Sequence, residues 1–237
     1  MTPSLFVLVH SPVVGPSTWA PVAERLTSLG RAAIVPSLLG VGESDPPFWP
    51  RVVAEVGRQL AGTPADQPVV LVAHSNAGVF VPVIRQGLRW PVACSIFADA
   101  TVPTQGGPTP TAGEDFLPFL RGLADADGRL PRWTDWWEGE DLTGLFPGPR
   151  TRDLVTAELP RLPLAYYQEQ VPAPDGWDDH PCRYLQFSPA YEGEAHKAAQ
   201  RGWPVQTLPG EHLHQLADPD GVAKALLELA RPTDRQE

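Results

Sequence analysis

The stretch VVLVAHSNAGVF, residues 69 to 80, decides how the rest of the chain is interpreted. It begins as an apolar, β-branched run, which is typical of a buried strand. The run breaks at Ser75, which has Ala73 two residues before it and Ala77 two residues after it, and a second apolar segment follows. The pattern predicts a strand that turns sharply at Ser75 and continues as a helix.

A serine at such a turn has two interpretations. It can cap the N-terminus of the helix through its hydroxyl, or it can be a nucleophile exposed above the carboxyl end of a sheet. A nucleophile there needs small residues two positions before and after it, because the strand and helix backbones nearly touch. Ala73 and Ala77 meet that requirement, as a small-x-Ser-x-small variant of the G-x-S-x-G elbow. The strand–turn–helix context therefore favours Ser75 as a nucleophile.

The remainder of the chain alternates between short apolar runs and helical patterns. The apolar runs are continuous, which is expected of parallel strands covered by helices on both faces. We predict strands at 4–10, 32–37, 68–74, 92–99, 182–188 and 203–209, and helices near 18–29, 46–61, 77–89, 191–201 and 219–230. This alternation predicts an α/β fold with a doubly wound, mostly parallel six-stranded sheet and helices on both faces.

One segment interrupts the alternation. The chain contains 29 prolines, and they become frequent between Pro103 and Pro181. We therefore predict an α/β core at 1–103 and 181–237, with a Pro- and Trp-rich helical cap inserted at 104–180.

Aromatic residues of this insertion are candidates for lining a substrate pocket. Trp133, Trp136 and Trp137 have the i, i+3, i+4 spacing of one helix face. Most aromatic residues of a domain form its own core, so only some of the three are expected to contact a ligand. An aromatic cap above the carboxyl ends of the strands favours a small, largely apolar substrate.

Composition limits the classes of partner. The 237 residues carry a net charge of −10 without a basic cluster, which argues against nucleic acid and anionic membrane surfaces. Two cysteines are too few for a disulfide framework, and the N-terminal apolar run is too short for a signal peptide or a membrane span. We expect a cytoplasmic protein that acts on a small molecule. The histidine spacing indicates no metal site, and we expect no cofactor.

Four segments, in this order, resemble the α/β-hydrolase fold superfamily, and together they cover nearly the whole chain. They are HSPVVGPSTWAPVAERL (10–26), VPSLLGVGESD (35–45), AHSNAG (73–78) and LPGEHLHQLADPDGVAKALLEL (208–229). The resemblance implies a minimal α/β-hydrolase fold with an inserted cap. It also implies a serine hydrolase of the esterase or hydroxynitrile-lyase type.

The resemblance implies that the general base is a histidine on the loop after the last strand. His212 and His214 both lie there. The family histidine commonly follows a glycine and shortly precedes an Asp-Pro helix start. His212 fits that placement better, between Gly210 and Asp218, and is our candidate.

The acid departs from the family pattern. Members usually carry an aspartate on the loop after the second-last strand, where this chain has Tyr191. A phenol cannot stabilise an imidazolium as a carboxylate does. Glu192 is next to it, but acidic residues are common at helix N-termini for dipole reasons alone. We favour Asp99, at the end of the preceding strand, where haloalkane dehalogenases place their acid, because neighbouring strands are only about 4.8 Å apart. Glu192 is the alternative.

The oxyanion hole also departs from the pattern. The backbone N–H of Asn76, directly after the nucleophile, is the first implied donor. The second usually follows a His-Gly pair on the first loop, but here His10 is followed by Ser11 and Pro12, and proline has no N–H. The second donor is therefore Ser11, Val13 through a shifted loop, or the side chain of Asn76.

These residues predict cofactor-free hydrolysis of a small, largely apolar ester, lactone or thioester through an acyl-enzyme on Ser75. A lyase or elimination reaction on the same fold is the alternative. Such a reaction needs the histidine base more than a complete oxyanion hole, so the missing N–H at Pro12 favours the lyase or elimination reaction. A ligand-binding receptor is a third interpretation, since a fold alone does not decide function.

Overall fold

The structure, a computed structural model, describes residues 3–137 and 142–231. Its strands are β1 (Leu5–Val9), β2 (Ala33–Ile34), β3 (Val69–Ser75), β4 (Val92–Ala100), β5 (Thr109–Pro110), β6 (Gln170–Val171), β7 (Cys182–Gln186) and β8 (Val205–Thr207). Its α-helices are α1 (Ala20–Ser28), α2 (Trp49–Gln59), α3 (Val81–Gly87), α4 (Leu117–Leu123), α5 (Pro149–Glu158), α6 (Leu164–Tyr167), α7 (Glu192–Gln200), α8 (His214–Ala217) and α9 (Pro219–Leu229).

Six of the strands form one sheet in the order β2-β1-β3-β4-β7-β8, and every neighbouring pair is parallel. All residues of β1 and β3 are buried. Burial on both faces explains why their sequences are continuous apolar runs. Each predicted strand overlaps one strand of this sheet, so the predicted α/β fold with six parallel strands is confirmed.

Side chains along each strand alternate between two cores, one on each face of the sheet. On one face, Phe6 and Leu8 pack with residues of α1 and α9, among them Leu26 and Leu226. On the other face, Val7 belongs to the core that includes the buried residues of α2, α3 and α7. The helices thus cover both faces, as a doubly wound sheet requires.

The helix predicted after Ser75 begins as a 3₁₀-helix, Asn76–Phe80, and becomes α-helical only from Val81. Pro82 lies in the first turn of α3. A proline has no N–H to donate to the carbonyl four residues earlier, so it suits the start of an α-helix and not its interior. The tight first turns bring the backbone after Ser75 close to the end of β4.

The segment 104–180 contains α4, α5, α6 and the antiparallel pair of β5 and β6. The prediction of one helix face that carries three tryptophans is wrong. The described residues there form a 3₁₀-helix over Trp133–Asp135. The Trp136 indole N–H donates to the carbonyl of Pro131 at 2.9 Å, and its ring packs against Phe116 and Tyr167. These contacts place Trp136 by tertiary packing, which overrides the helical spacing.

Two carboxylates tie this segment to the core. Glu158, at the end of α5, accepts hydrogen bonds from the N–H of Ser17, at 2.8 Å, and from the Ser17 hydroxyl. Glu169 accepts from the N–H groups of Phe48 and Trp49, at 2.8 and 3.2 Å, where α2 begins. Both carboxylates satisfy N–H groups at helix starts, which have no partner within the helix.

The close approach of the elbow to β4 yields a stability prediction for Gly78. A Cβ there would lie 2.1 Å from the carbonyl oxygen of Thr101, a backbone atom that cannot rotate away. We expect Gly78→Ala to lower the free energy of unfolding by about 1–3 kcal/mol, the usual cost of overpacking. Urea unfolding followed by circular dichroism measures it.

Gly57→Ala is the matched control. Gly57 lies inside α2 with open space around its Cα, so alanine there should stabilise the protein by about 0.5–1 kcal/mol. Equal stability of the two variants would contradict the close approach at Gly78.

Candidate active site

Ser75 ends β3 in a strained backbone conformation, with φ 58° and ψ −133°. A positive φ is uncommon for a residue with a side chain and persists only where the surroundings enforce it. Within the described residues, the hydroxyl does not cap the helix that follows. Its Oγ lies 3.0 Å from Nε2 of His212. This geometry is that of a nucleophile elbow rather than of a helix cap.

Asp99 reaches the site because β4 contains one extra residue. His74 pairs with Ala98 and Ser75 pairs with Ala100, so Asp99 is left without a partner on β3. Asp99 has φ 43°, a left-handed conformation that aspartate tolerates better than most residues. Such a bulge redirects a side chain, and here it directs the Asp99 carboxylate to His212, with Oδ2 2.8 Å from Nδ1.

Four hydrogen bonds hold the Asp99 carboxylate. Besides the contact with His212, Oδ2 accepts the Ser188 hydroxyl at 2.6 Å, and Oδ1 accepts the N–H groups of Phe187 and Ser188 at 2.9 and 3.0 Å. Complete burial alone would raise the pKa of Asp99, but these hydrogen bonds and the nearby His212 hold the pKa below its ordinary value. Asp99 is therefore ionised at neutral pH.

The structure does not bring the alternative acid, Glu192, to His212. Glu192 is exposed at the first position of α7. The nearby Glu194 accepts a hydrogen bond from the N–H of Val102 at 2.7 Å and forms an ion pair with Lys197. Of these three acidic residues, only Asp99 contacts the imidazole of His212.

His212 lies between two rings. Tyr191 stacks on it with ring centroids 4.7 Å apart and planes 2° apart. His74 stacks on it at 4.6 Å and 28°. The His74 Nε2 also contacts the His212 carbonyl oxygen at 2.8 Å and must donate to it. The pKa of His74 is lowered to about 3, first by burial and then by the charge of His212, so His74 is neutral.

The other histidines near the site have structural partners. His10 accepts the N–H of Leu38 through Nε2 at 3.0 Å, so its Nδ1 donates to the carbonyl of Ser11 at 2.8 Å. Burial lowers the pKa of His10 to about 4. His214 begins α8, and its ring lies beside Phe187 with centroids 5.6 Å apart. Neither His10 nor His214 contacts Ser75 in the described structure.

The loop after β1 turns so that the N–H of Val13 is a candidate donor to the oxyanion, in place of Pro12, which has no N–H. The N–H of Val14 donates to the carbonyl of Ser11 at 3.0 Å, which makes Ser11 to Val14 a turn with Pro12 in the second position that proline favours. The N–H of Val13 has only a long contact, 3.5 Å, with the Ser11 hydroxyl. Ser11 and Val13 line the same cavity as Ser75.

The side chain of Asn76 is already paired. Its amide N–H donates to the carbonyl of Thr111 at 2.7 Å, and its Oδ1 accepts the hydroxyl of Tyr166. Both partners belong to the segment 104–180. These contacts direct the side chain of Asn76 to the segment 104–180, so for the second oxyanion donor we favour the backbone N–H groups of Ser11 and Val13.

A cavity of about 250 Å³ opens above Ser75. Its lining is mostly apolar and consists of Ser11, Val13, Val14, His74, Ser75, Trp133, Ala190, Tyr191, His212 and Leu213. The structure separates the three tryptophans that we predicted to line a pocket. Trp133 lines this cavity, whereas Trp136 and Trp137 pack with Phe116.

Two other features were predicted to be absent, a metal site and a membrane span. Residues 3–137 and 142–231 contain no group of three His, Cys, Asp or Glu side chains that could hold a metal ion. Over the same residues, no helix is long and apolar enough to cross a membrane.

The sequence model of the alpha/beta hydrolase family matches residues 6–225, and the chain belongs to that family of enzymes. One relative is the carbendazim hydrolyzing esterase of Nocardioides sp. (strain SG-4G). It is 25% identical over 248 residues, which cover 94% of this chain and 98% of the relative.

Solved structures have the same fold. An extracellular alpha/beta-hydrolase from a Paenibacillus species matches with a TM-score of 0.75 and 16% identity, over 97% of this chain and 100% of that one. A pyrethroid hydrolase from Sphingobium faniae matches with a TM-score of 0.68 and 18% identity, over 97% of this chain and 98% of that one. At these identities the likeness concerns the fold.

His10 and His74 yield a prediction about acid stability. His10 and His74 have folded-state pKa values of about 4 and 3, below their ordinary value of 6.5. The unfolded chain therefore binds more protons below pH 6.5, and the free energy of unfolding should decrease as the pH falls from 6.5 to 5. The decrease should approach about 1.4 kcal/mol per pH unit for each histidine.

His10→Gln should reduce this slope, as measured by urea unfolding at several pH values. His196→Gln is the matched control, because His196 is exposed on α7. A slope that is unchanged in His10→Gln would contradict a neutral His10 in the folded protein.

The contact between Asp99 and His212 predicts a large difference between two acidic residues. Asp99→Asn removes the charge that stabilises an imidazolium and favours the wrong tautomer, so we expect kcat to fall by about 10⁴-fold. Glu192→Gln should leave kcat nearly unchanged. The assay is steady-state hydrolysis of one ester, with circular dichroism to check folding. Near-normal activity of Asp99→Asn beside an inactive Glu192→Gln would contradict Asp99 as the acid.

Proposed function

We propose that this protein is a serine hydrolase that cleaves small, uncharged, largely apolar esters, including lactones or thioesters. Ser75 is the nucleophile, His212 the general base and Asp99 the acid that orients and stabilises His212. The observation that carries the proposal is the continuous hydrogen-bonded series of these three side chains, with contacts of 2.8 Å and 3.0 Å. This series has the roles and order that nucleophilic catalysis by serine needs.

The reaction has two halves. In the first, Ser75 Oγ attacks the carbonyl carbon while its proton moves to Nε2 of His212, and His212 then protonates the leaving oxygen. In the second, His212 takes a proton from water, the resulting hydroxide attacks the acyl-enzyme, and Ser75 departs with a proton from His212. The ionised Asp99 stabilises the imidazolium that forms in both halves.

Backbone N–H groups would stabilise the oxyanion. We assign the first to Asn76, directly after the nucleophile. For the second we favour Val13 over Ser11, because Pro12 has no N–H and the Val13 N–H has only a long contact with the Ser11 hydroxyl. A second donor on this loop supports hydrolysis over elimination, since hydrolysis depends strongly on a complete oxyanion hole.

The substrate class follows from the cavity. Its volume of about 250 Å³ and its apolar lining suit a small ester. Among the described lining residues, none is a lysine, arginine, aspartate or glutamate, so nothing there would compensate a charged substrate. The relative from Nocardioides, which is named as an esterase, supports ester hydrolysis by this chain.

We also propose that 104–180 is a cap that closes this cavity. Trp133 of this segment lines the cavity beside Ser75. Thr111 and Tyr166 of the same segment hold the side chain of Asn76. The segment therefore contributes both a wall of the cavity and support for the residue after the nucleophile.

The acyl-enzyme mechanism predicts covalent chemistry at Ser75. Wild-type protein should release a burst of p-nitrophenol from p-nitrophenyl acetate, up to about one equivalent per chain when deacylation is slow. Ser75→Ala should lose the burst and the labelling by a fluorophosphonate, because it has no nucleophile. Stopped-flow absorbance and intact mass measure the two effects. Equal labelling and turnover in Ser75→Ala would contradict the mechanism.

A further inference from the structure

The hydroxyl of Tyr191 lies beside Ser75 and has no role in the mechanism proposed for Ser75, His212 and Asp99. Its Oη lies 3.3 Å from Ser75 Oγ, within hydrogen-bond distance. Tyr191 ends the 3₁₀-helix Pro189–Tyr191, and its N–H donates to the carbonyl of Ser188 at 3.2 Å. The ring is held flat against His212. The hydroxyl therefore has a defined position next to the reacting oxygen.

The direction of this hydrogen bond follows from protonation. Burial raises the pKa of Tyr191 to about 12; the hydrogen bond with Ser75 opposes the shift, and the charges of Asp99 and Glu194 add to it. The phenol therefore keeps its proton at neutral pH. Because the proton of Ser75 points to Nε2 of His212, the oxygen of Ser75 is the acceptor and Tyr191 is the donor.

We propose that Tyr191 is a catalytic residue, a hydrogen-bond donor to Ser75 Oγ that acts chiefly when this oxygen leaves the acyl-enzyme. The role rests on the proposed function, since it presupposes an acyl group on Ser75. In the second tetrahedral intermediate the bond between the acyl carbon and Oγ breaks, and its electron pair goes to Oγ. His212 transfers its proton to Oγ, while Tyr191 donates a hydrogen bond and keeps its own proton.

The two halves of the reaction should depend differently on this donor. With p-nitrophenyl acetate, acylation is driven by the departure of p-nitrophenolate, which is a stable anion. Deacylation must instead expel Oγ of Ser75, a much more basic oxygen that departs with the proton from His212. A donor aimed at Oγ therefore contributes most to the second half, and its loss should cost about 10- to 100-fold, the usual value of a hydrogen bond to a charged group.

Tyr191→Phe tests the proposal, because phenylalanine keeps the ring against His212 and removes only the hydroxyl. In stopped-flow experiments with p-nitrophenyl acetate, the burst phase should keep nearly its wild-type rate and amplitude. The steady-state rate should fall by about 10- to 100-fold, and the acetylated chain should accumulate in mass spectra. Tyr167→Phe is the matched control, since Tyr167 packs against Trp136 and Tyr166 and does not line the cavity.

Two results would overturn the proposal. Wild-type deacylation in Tyr191→Phe would mean that the hydroxyl has no role in the reaction. Equal losses in the burst and steady-state phases would mean that it places Ser75 and does not assist its departure. Should Tyr191→Phe fail to fold, Tyr191→Leu, which also lacks the hydroxyl, must show the same selective loss of deacylation.

Ser75→Ala in the same assay separates this proposal from the proposed function. Turnover that survives Ser75→Ala overturns both. Turnover that is lost in Ser75→Ala, together with wild-type kinetics in Tyr191→Phe, overturns only the role of Tyr191.

Discussion

The bulge at Asp99 is the constraint on which the rest of the site depends. One extra residue in β4 turns the carboxylate away from the sheet and toward His212. The bulge is itself fixed by Tyr184, whose hydroxyl donates to the carbonyl of Ala100 at 3.0 Å and accepts its N–H at 3.1 Å. Because the acid comes from β4, the loop after β7 supplies donors to it, through Phe187 and Ser188.

Uncharged rings lie on both sides of His212, which contacts the ionised Asp99. His74 and Tyr191 are both held in uncharged forms by burial, and each presents a ring to the imidazole. In the proposed mechanism, these uncharged neighbours would not compete with Asp99 for the imidazolium. Asp99 is completely buried, and burial strengthens its interaction with a cation on His212. The rings thus restrict the position of His212 without changing its charge partner.

The sequence predicted the parts of the molecule that depend on local pattern. Continuous apolar runs identified the parallel strands, and the small residues around Ser75 identified the turn. Each of these signals is contained within a few consecutive residues. The contacts that the sequence did not reveal join distant segments. From the sequence, Tyr191 is only the residue that stands where the family has its acid. Nothing local indicates that its hydroxyl contacts Ser75, 116 positions away. The helix predicted from the tryptophan spacing is not formed, because tertiary packing determines the position of Trp136.

The placement of the proposed acid, Asp99, on a strand has a consequence for how the space for substrate can vary. Where the acid lies on the loop after β7, that loop cannot change in length or composition without disturbing catalysis. Here the carboxylate lies on β4, and the same loop supplies hydrogen-bond donors to it. Ala190 on this loop faces the cavity. A larger or smaller residue at Ala190 would reshape the space for substrate while the Asp99 carboxylate stays at the end of β4. The loop after β7 thus combines Ala190, which faces the cavity, with the donors of Phe187 and Ser188 that hold Asp99, so the space for substrate can change at Ala190 while those contacts stay in place.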